Sequence, residues 1–185
     1  AAGCVTNGAL MEQGFLQYAD TKQFDFSPTL YGKTALSISR YLDGQKSTVP
    51  DPRDETKCLF SDDEMLHLAD VRGIVTCLKV MRWIGGGLAL GAIAVAWVLS
   101  KKKESDRLMK DVWQGFAWAS GILFTLAAGI GIWALCDFDS LFLTFHRLAF
   151  ANDLWLMDPR TDLMIAMMPQ PFFVWYGGEM LKAML

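Results

Sequence analysis

The sequence predicts a mainly α-helical, polytopic transmembrane protein with a small extracytoplasmic domain. Three observations predict it: an uncharged run from Trp83 to Leu99, a second from Val112 to Cys136, and a short basic connector between them. The second run is long enough to cross a hydrocarbon core of ~30 Å as a helix. The first is at the short limit. It reaches a comfortable length when Lys79 and Arg82 lie at the boundary and extend their charged ends toward water. A pair of buried soluble helices would rarely need such uninterrupted apolar runs.

The elements follow in order along the chain. Residues 1–18 are mostly small or apolar and read as the end of a helix. Asp20 to Thr29 mixes polar and aromatic residues around Pro28, a loop or extended strand. Leu30 to Leu42 reads as an amphipathic helix with Leu30, Leu36 and Tyr41 among its apolar positions, ended by Asp43-Gly44. Gln45 to Thr56 holds two prolines and many charges and is expected to be a surface loop. Ser61 and Glu64 have the spacing of a capping box, so a helix starts there and carries Leu66, His67 and Asp70 toward the first span.

The connector, Ser100 to Asp111, contains Lys101, Lys102, Lys103, Arg107 and Lys110. Short loops rich in lysine and arginine stay in the cytoplasm, and acidic neighbours carry little weight in that rule. The two spans therefore form an antiparallel hairpin whose free ends share the outer side. The expected division is an extracytoplasmic domain over 1–74, a span over 75–99, a cytoplasmic loop over 100–111 and a span over 112–136. An extracytoplasmic interfacial segment follows over 137–170, and 171–185 begins a further span. Trp155, Phe172, Phe173, Trp175 and Tyr176 suit a membrane–water boundary, although packing of a small outer domain would use the same residues.

The formal net charge of −3 over 185 residues does not suggest a nucleic-acid partner. The cysteines are Cys4, Cys58, Cys77 and Cys136, with no C-x-x-C pair, so a zinc ribbon or thioredoxin-like motif is not expected. A disulfide on the outer side is chemically permitted, and unpaired thiols fit equally well. The patterns G-x-S-x-G, H-E-x-x-H and the P-loop are absent. A metal site built from two histidines and nearby aspartates would need diagnostic ligand spacing, which no pair here has.

Both histidines fall in the outer layer. His67 and Asp70 stand three residues apart, which puts an imidazole and a carboxylate on one helical face. Asp70 would then orient His67 through one ring nitrogen and leave the other as a base. The alternative is an incidental surface pair. His146 is followed by Asn152-Asp153 and by Asp158-Pro159-Arg160-Thr161-Asp162. Those residues either surround His146 with polar groups or simply make turns, and spacing does not decide between the two.

Phe145-His146, Asn152-Asp153-Leu154-Trp155, Asp158-Pro159-x-Thr161-Asp162 and Met168-Pro169-x-Pro171-Phe172-Phe173 form a long string of unlike residues. That string resembles the signature of the bacterial lipoprotein intramolecular transacylase (Lit) family. Tyr41-Leu42-x-Gly44, Phe60 to Glu64 and His67-x-x-Asp70-Val71 agree with it upstream, and the resemblance covers roughly residues 18–175. The family plan has four spans. This chain shows two and the opening of another, so pieces are expected to be missing at both ends.

The resemblance implies a multi-pass enzyme of the bacterial cytoplasmic membrane with its active face outward. Its partners would be lipidated bacterial lipoproteins and membrane lipid. It would move the sn-2 acyl chain of a diacylglyceryl-cysteine lipoprotein to that cysteine's own amino group, leaving a lyso form. The family's two important histidines carry over onto His67 and His146, with Asp70, Asn152, Asp153, Asp158 and Asp162 as supporting groups. An α-amine with a pKa of about 8 must lose a proton before it attacks, and an imidazole can take it. Nucleophile and ester belong to one molecule, so neither a serine nor a cysteine nucleophile, nor any metal or organic cofactor, is required. His67 as base with His146 as shuttle or oxyanion partner is one assignment, and the reverse is equally open. Asn152 could donate to the oxyanion. Two other classes compete: a non-enzymatic membrane protein that acts as an assembly or binding partner through its outer domain, and a metal-dependent lipid hydrolase that a chelator would silence.

Overall fold

The computed structural model describes residues 6–100 and 105–183, with the side chains of 99, 100 and 105–109 outside that description. The chain is mainly α-helical. Helix α1 (Gly8–Tyr18) is followed by two 3-10 turns, Lys22–Phe24 and Pro28–Leu30, and by α2 (Tyr31–Leu42). A two-stranded antiparallel hairpin, β1 (Pro50–Asp51) with β2 (Asp54–Cys58), comes next. Then follow α3 (Asp62–Ser100), α4 (Ser105–Cys136), α5 (Phe138–Ala149), α6 (Leu163–Met167) and α7 (Gln170–Lys182).

The chain divides into two compact units, Ala1–Cys77 with Phe142–Leu185, and Leu78–Leu141. In the first, Phe15, Ile38 and Met167 are almost fully enclosed in one apolar core with Phe26, Tyr31, Leu68 and Phe172. Asn7 caps α1 by accepting from the backbone N–H groups of Ala9 and Leu10. Helix α2 ends where Gly44 takes φ +81°, the left-handed turn that glycine tolerates best. Helix α1 meets α7 at Gly14. A Cβ there would stand 2.4 Å from Phe172 Cε2 and 2.9 Å from Trp175 Cζ3. The Phe172 ring stacks on Tyr176 and lies 5.5 Å from Phe15, so it has little room to give. Gly14→Ala is therefore expected to cost about 1–3 kcal/mol through overpacking, read as a lower thermal midpoint of the purified protein.

The second unit holds two helices long and apolar enough to cross a membrane, Asp62–Val98 and Lys110–Cys136. Their apolar windows are not buried within the protein, and Trp83, Leu88, Trp118 and Phe124 are widely exposed. Water would penalise so much uncovered apolar surface, whereas lipid does not. The two helices together line an apolar recess of about 300 Å³ that includes Ala89, Ile93, Val112 and Phe116.

Several expectations shift. Helix α3 is unbroken from Asp62 to Ser100, because no proline stands between Asp62 and the apolar run. A helix of that length rises ~58 Å, about twice a hydrocarbon core. Helix α4 begins at Ser105, inside the stretch expected as loop, since Arg107, Leu108, Met109 and Lys110 favour helix. Lys101, Lys102 and Lys103 lie outside the described residues, as does Cys4. Cys58, Cys77 and Cys136 are exposed free thiols. Gln45 to Thr56 is not all loop, because Pro50–Asp51 pairs with Asp54–Cys58. The short, charged strands carry too little apolar alternation to signal themselves.

Candidate active site

The capping box expected at the start of α3 is present. Ser61 Oγ accepts from the Glu64 backbone N–H at 3.3 Å, and Glu64 Oε2 accepts from the Ser61 backbone N–H at 2.8 Å. The other carboxylate oxygen, Glu64 Oε1, accepts from the backbone N–H of Met164 at 2.6 Å, a hundred residues away. Glu64 is buried. One side chain thus satisfies donors at the starts of both α3 and α6, and it fixes the first turn of α3, from which His67 projects.

Helix α5 is capped by Asp137, whose Oδ1 accepts from the Ser140 N–H at 3.0 Å. Its last turn carries His146. His146 Nδ1 lies 2.7 Å from the carbonyl oxygen of Phe142. A carbonyl only accepts, so Nδ1 carries the proton and the neutral ring keeps a lone pair on Nε2. The His67 and His146 rings lie 6.1 Å apart, 26° from parallel, and both are buried. Aromatic rings enclose His146: Phe142 at 4.0 Å, Trp155 at 5.2 Å, Phe145 at 5.3 Å and Phe150 at 5.4 Å. Phe150 also meets His67 edge-on at 4.9 Å.

His67 Nδ1 is buried without a hydrogen-bond partner among the described residues. A bare acceptor there is cheaper than a bare donor or a cation, so the neutral ring with its proton on Nε2 is favoured. Burial lowers the pKa of His67, with the neighbouring His146 adding to the effect and Asp70 opposing it. Burial also lowers that of His146, against the opposing bond to the Phe142 carbonyl. Both rings are thus kept neutral at neutral pH.

The expected orienting bond from Asp70 to His67 is absent. Asp70 Oδ2 instead accepts from Asn152 Nδ2 at 2.8 Å, and its charge reaches His67 only through space. Asn152 Oδ1 accepts from the Leu154 N–H at 3.2 Å, so Asn152 makes a turn and ties it to α3. One of the two N–H donors of the Asn152 amide is engaged on Asp70. Asp153 is exposed, and its carbonyl accepts from the Leu156 N–H. Asp158 and Asp162 hold a surface turn: Asp162 Oδ2 accepts from the Asp158 N–H at 2.7 Å, and Asp158 pairs with Arg160 at 2.6 Å. The Arg160 guanidinium holds the Asp158 carboxyl down at about 2. None of these three aspartates lines the histidine cavity.

That cavity has a volume of about 260 Å³. His67 and His146 are its polar members. Its walls include Met11, Leu68, Val71, Phe142, Trp155, Met164, Met168, Phe172, Phe173, Tyr176 and Met180. Trp155, Phe172, Phe173 and Tyr176 are therefore walls of the site. The carbonyl of Phe142 and the ring of Phe150 are functional features that sequence reasoning missed, since a backbone acceptor leaves no compositional signal. Methionines are flexible and polarisable, which suits an apolar chain of variable shape. No group of three metal-binding side chains occurs among the described residues.

Fold and site define a class: a helical protein with two membrane-length apolar helices and a pair of neutral imidazoles in a cavity otherwise lined by apolar and aromatic side chains. The family model described as lipoprotein intramolecular transacylase Lit matches residues 12–173, and the chain belongs to that family. Its fold is similar to the in meso structure of the membrane-integral lipoprotein intramolecular transacylase Lit from Bacillus cereus. The two share 20% identity at a TM-score of 0.64, over 95% of this chain and 75% of that one. Comparison with curated proteins finds no match.

Proposed function

We propose that the protein transfers the sn-2 acyl chain of a diacylglyceryl-cysteine lipoprotein to the amino group of the same cysteine. The observation that carries this reading is the pairing of His67 and His146, 6.1 Å apart, in a cavity otherwise lined by apolar and aromatic side chains. The acyl chain occupies the cavity and brings its ester carbonyl to the rings. The α-ammonium releases one proton to solvent, and His146 Nε2 takes a second as the now-neutral amine nitrogen forms its bond to the carbonyl carbon. His67 Nε2–H donates to the oxyanion. The intermediate collapses, the bond from carbon to the glycerol oxygen breaks, and the proton on His146 passes to that oxygen. The products are an amide and a free hydroxyl, and the chain supplies no other reactant.

The basic connector supports a site at the outer leaflet, where lipoprotein lipid resides: kept in the cytoplasm, it leaves the two histidine-bearing segments outside. The exposed Phe145 and Leu148 on α5 suit contact with lipid there.

The test is incubation of the purified protein with a synthetic diacylglyceryl lipopeptide and mass spectrometry of the products. N-acyl lyso-glyceryl peptide is expected, undiminished by a chelator. Recovery of intact substrate only, or of free fatty acid, would refute the reading.

The pH dependence has a definite sign. Both folded-state pKa values lie below the ordinary 6.5. Above pH 6.5 both rings are neutral in folded and unfolded chains, and their contribution to stability is fully present. As pH falls below 6.5 the unfolded chain binds protons first, so stability declines down through the folded-state pKa values. The enzyme's own acid limb in kcat/KM is likewise expected below pH 6.5, apart from the limb at a pH of about 8 that the substrate amine contributes. An NMR titration that puts the midpoint of either ring above 6.5 would contradict neutral, buried imidazoles.

A further inference from the structure

A second recess, open and about 430 Å³, lies beside Asp70. Small residues, Ala69, Gly73 and Ala151, form part of its wall with Asp70 and Asn152, so an extended backbone can approach closely. Phe150, which also lines it, is the ring that meets His67 edge-on. Asp70 is half-buried and stands one turn beyond His67 on α3. Its carboxylate is held by a single hydrogen bond from Asn152 and pairs with no cation among the described residues. Its remaining oxygen lone pairs face the recess side of α3 without a cationic partner among the described residues and are free to accept from a charged donor. One carboxylate beside one amide provides too few oxygens for a hard metal ion, but it matches an ammonium group.

Building on the transacylase reading, we propose that this recess receives the amino-terminal peptide of the lipoprotein substrate, with its α-ammonium seated on Asp70. Side chains three apart on a helix have Cβ atoms about 5–6 Å apart. An ammonium on Asp70 is therefore held one turn from His67 along α3, beside the Phe150 ring that meets His67 edge-on. Asn152 locks the carboxylate in place, and the small walls admit the peptide that follows the lipidated cysteine. Asp70 is then a substrate-binding residue and not an orienter of His67.

The experiment compares two diacylglyceryl-cysteine peptides that lack lysine, one with a free amino terminus and one N-acetylated. Binding to the full chain in detergent is read by fluorescence anisotropy of a label at the peptide's carboxyl end, in the His146→Asn background to prevent turnover. The free-amine peptide is expected to bind roughly tenfold to a hundredfold more tightly, the range of a hydrogen bond to a charged group. Asp70→Asn keeps an acceptor for Asn152 and removes only the charge, so it should bring the two affinities together. Asn152→Ala keeps the charge and should preserve a preference. Equal binding of the two peptides by the parent, a preference that survives Asp70→Asn, or its abolition by Asn152→Ala would each overturn the proposal. The transacylase reading fails separately, if the unmutated chain yields no N-acyl lyso product while its preference for the free amine stands.

Discussion

His146→Asn is expected to lower turnover by about 10²–10⁴-fold, the span of a lost general base, with little change in thermal midpoint. Asparagine retains an N–H near the position of Nδ1, so the Phe142 carbonyl, now 2.7 Å from that atom, keeps a donor. What disappears is the lone pair on Nε2. The opposite atom matters at His67. Its Nδ1 has no partner among the described residues, and the assigned role falls on Nε2–H. Glutamine places an N–H near that position, so His67→Gln should retain more activity than His67→Ala, whereas His146→Gln should gain little over His146→Ala. Single-turnover assays of the four variants read this asymmetry. Equal rescue at both positions would exchange the roles or remove them.

Glu64→Gln is expected to lower the stability of the fold although it keeps the shape of the side chain. The carboxylate accepts with both oxygens, from Ser61 at 2.8 Å and from Met164 at 2.6 Å. An amide of the same shape offers one oxygen and one NH₂, so one backbone N–H meets a donor. An unsatisfied buried donor costs about 1–3 kcal/mol. Glu64→Ala frees two donors, loses half of the capping box and should cost about 2–5 kcal/mol. The site should suffer along with the fold, because the first turn of α3 sets His67 and α6 carries the cavity wall at Met164. Thermal unfolding in detergent gives the first effect and residual activity at low temperature the second. A Glu64→Gln midpoint within a degree of the parent would show that Met164 finds another acceptor.

What was legible in the sequence was what local physics fixes. Two uncharged runs announce membrane-length helices because their length and lack of charge leave few other solutions. Ser61 with Glu64 announces a helix start because the capping box closes within four residues. The pairing of His67 with His146 was reachable only through the expectation that two spans joined by a short connector bring the chain back to the side it left. Long-range partners were not legible. Nothing near Glu64 points to Met164, and nothing near His146 says that its orienting acceptor is a backbone carbonyl. Asp70 shows the limit of spacing arguments. Its position three residues after His67 places it on the right face, but Asn152 arrives from eighty-two residues away and takes the bond. The hairpin at Pro50–Asp51 and Asp54–Cys58 was hidden for a related reason, since its strands are short and charged and depend on each other.

A crossover experiment tests most directly whether two imidazoles pass an acyl chain within one lipid-bearing molecule. Two lipopeptides of different mass are mixed, one with a deuterated sn-2 chain, and tandem mass spectrometry locates the label. The account predicts deuterated chain on the amine of its own peptide only, with no product from a chain lacking both His67 and His146. Label on the other peptide, or product formed without either histidine, would contradict it.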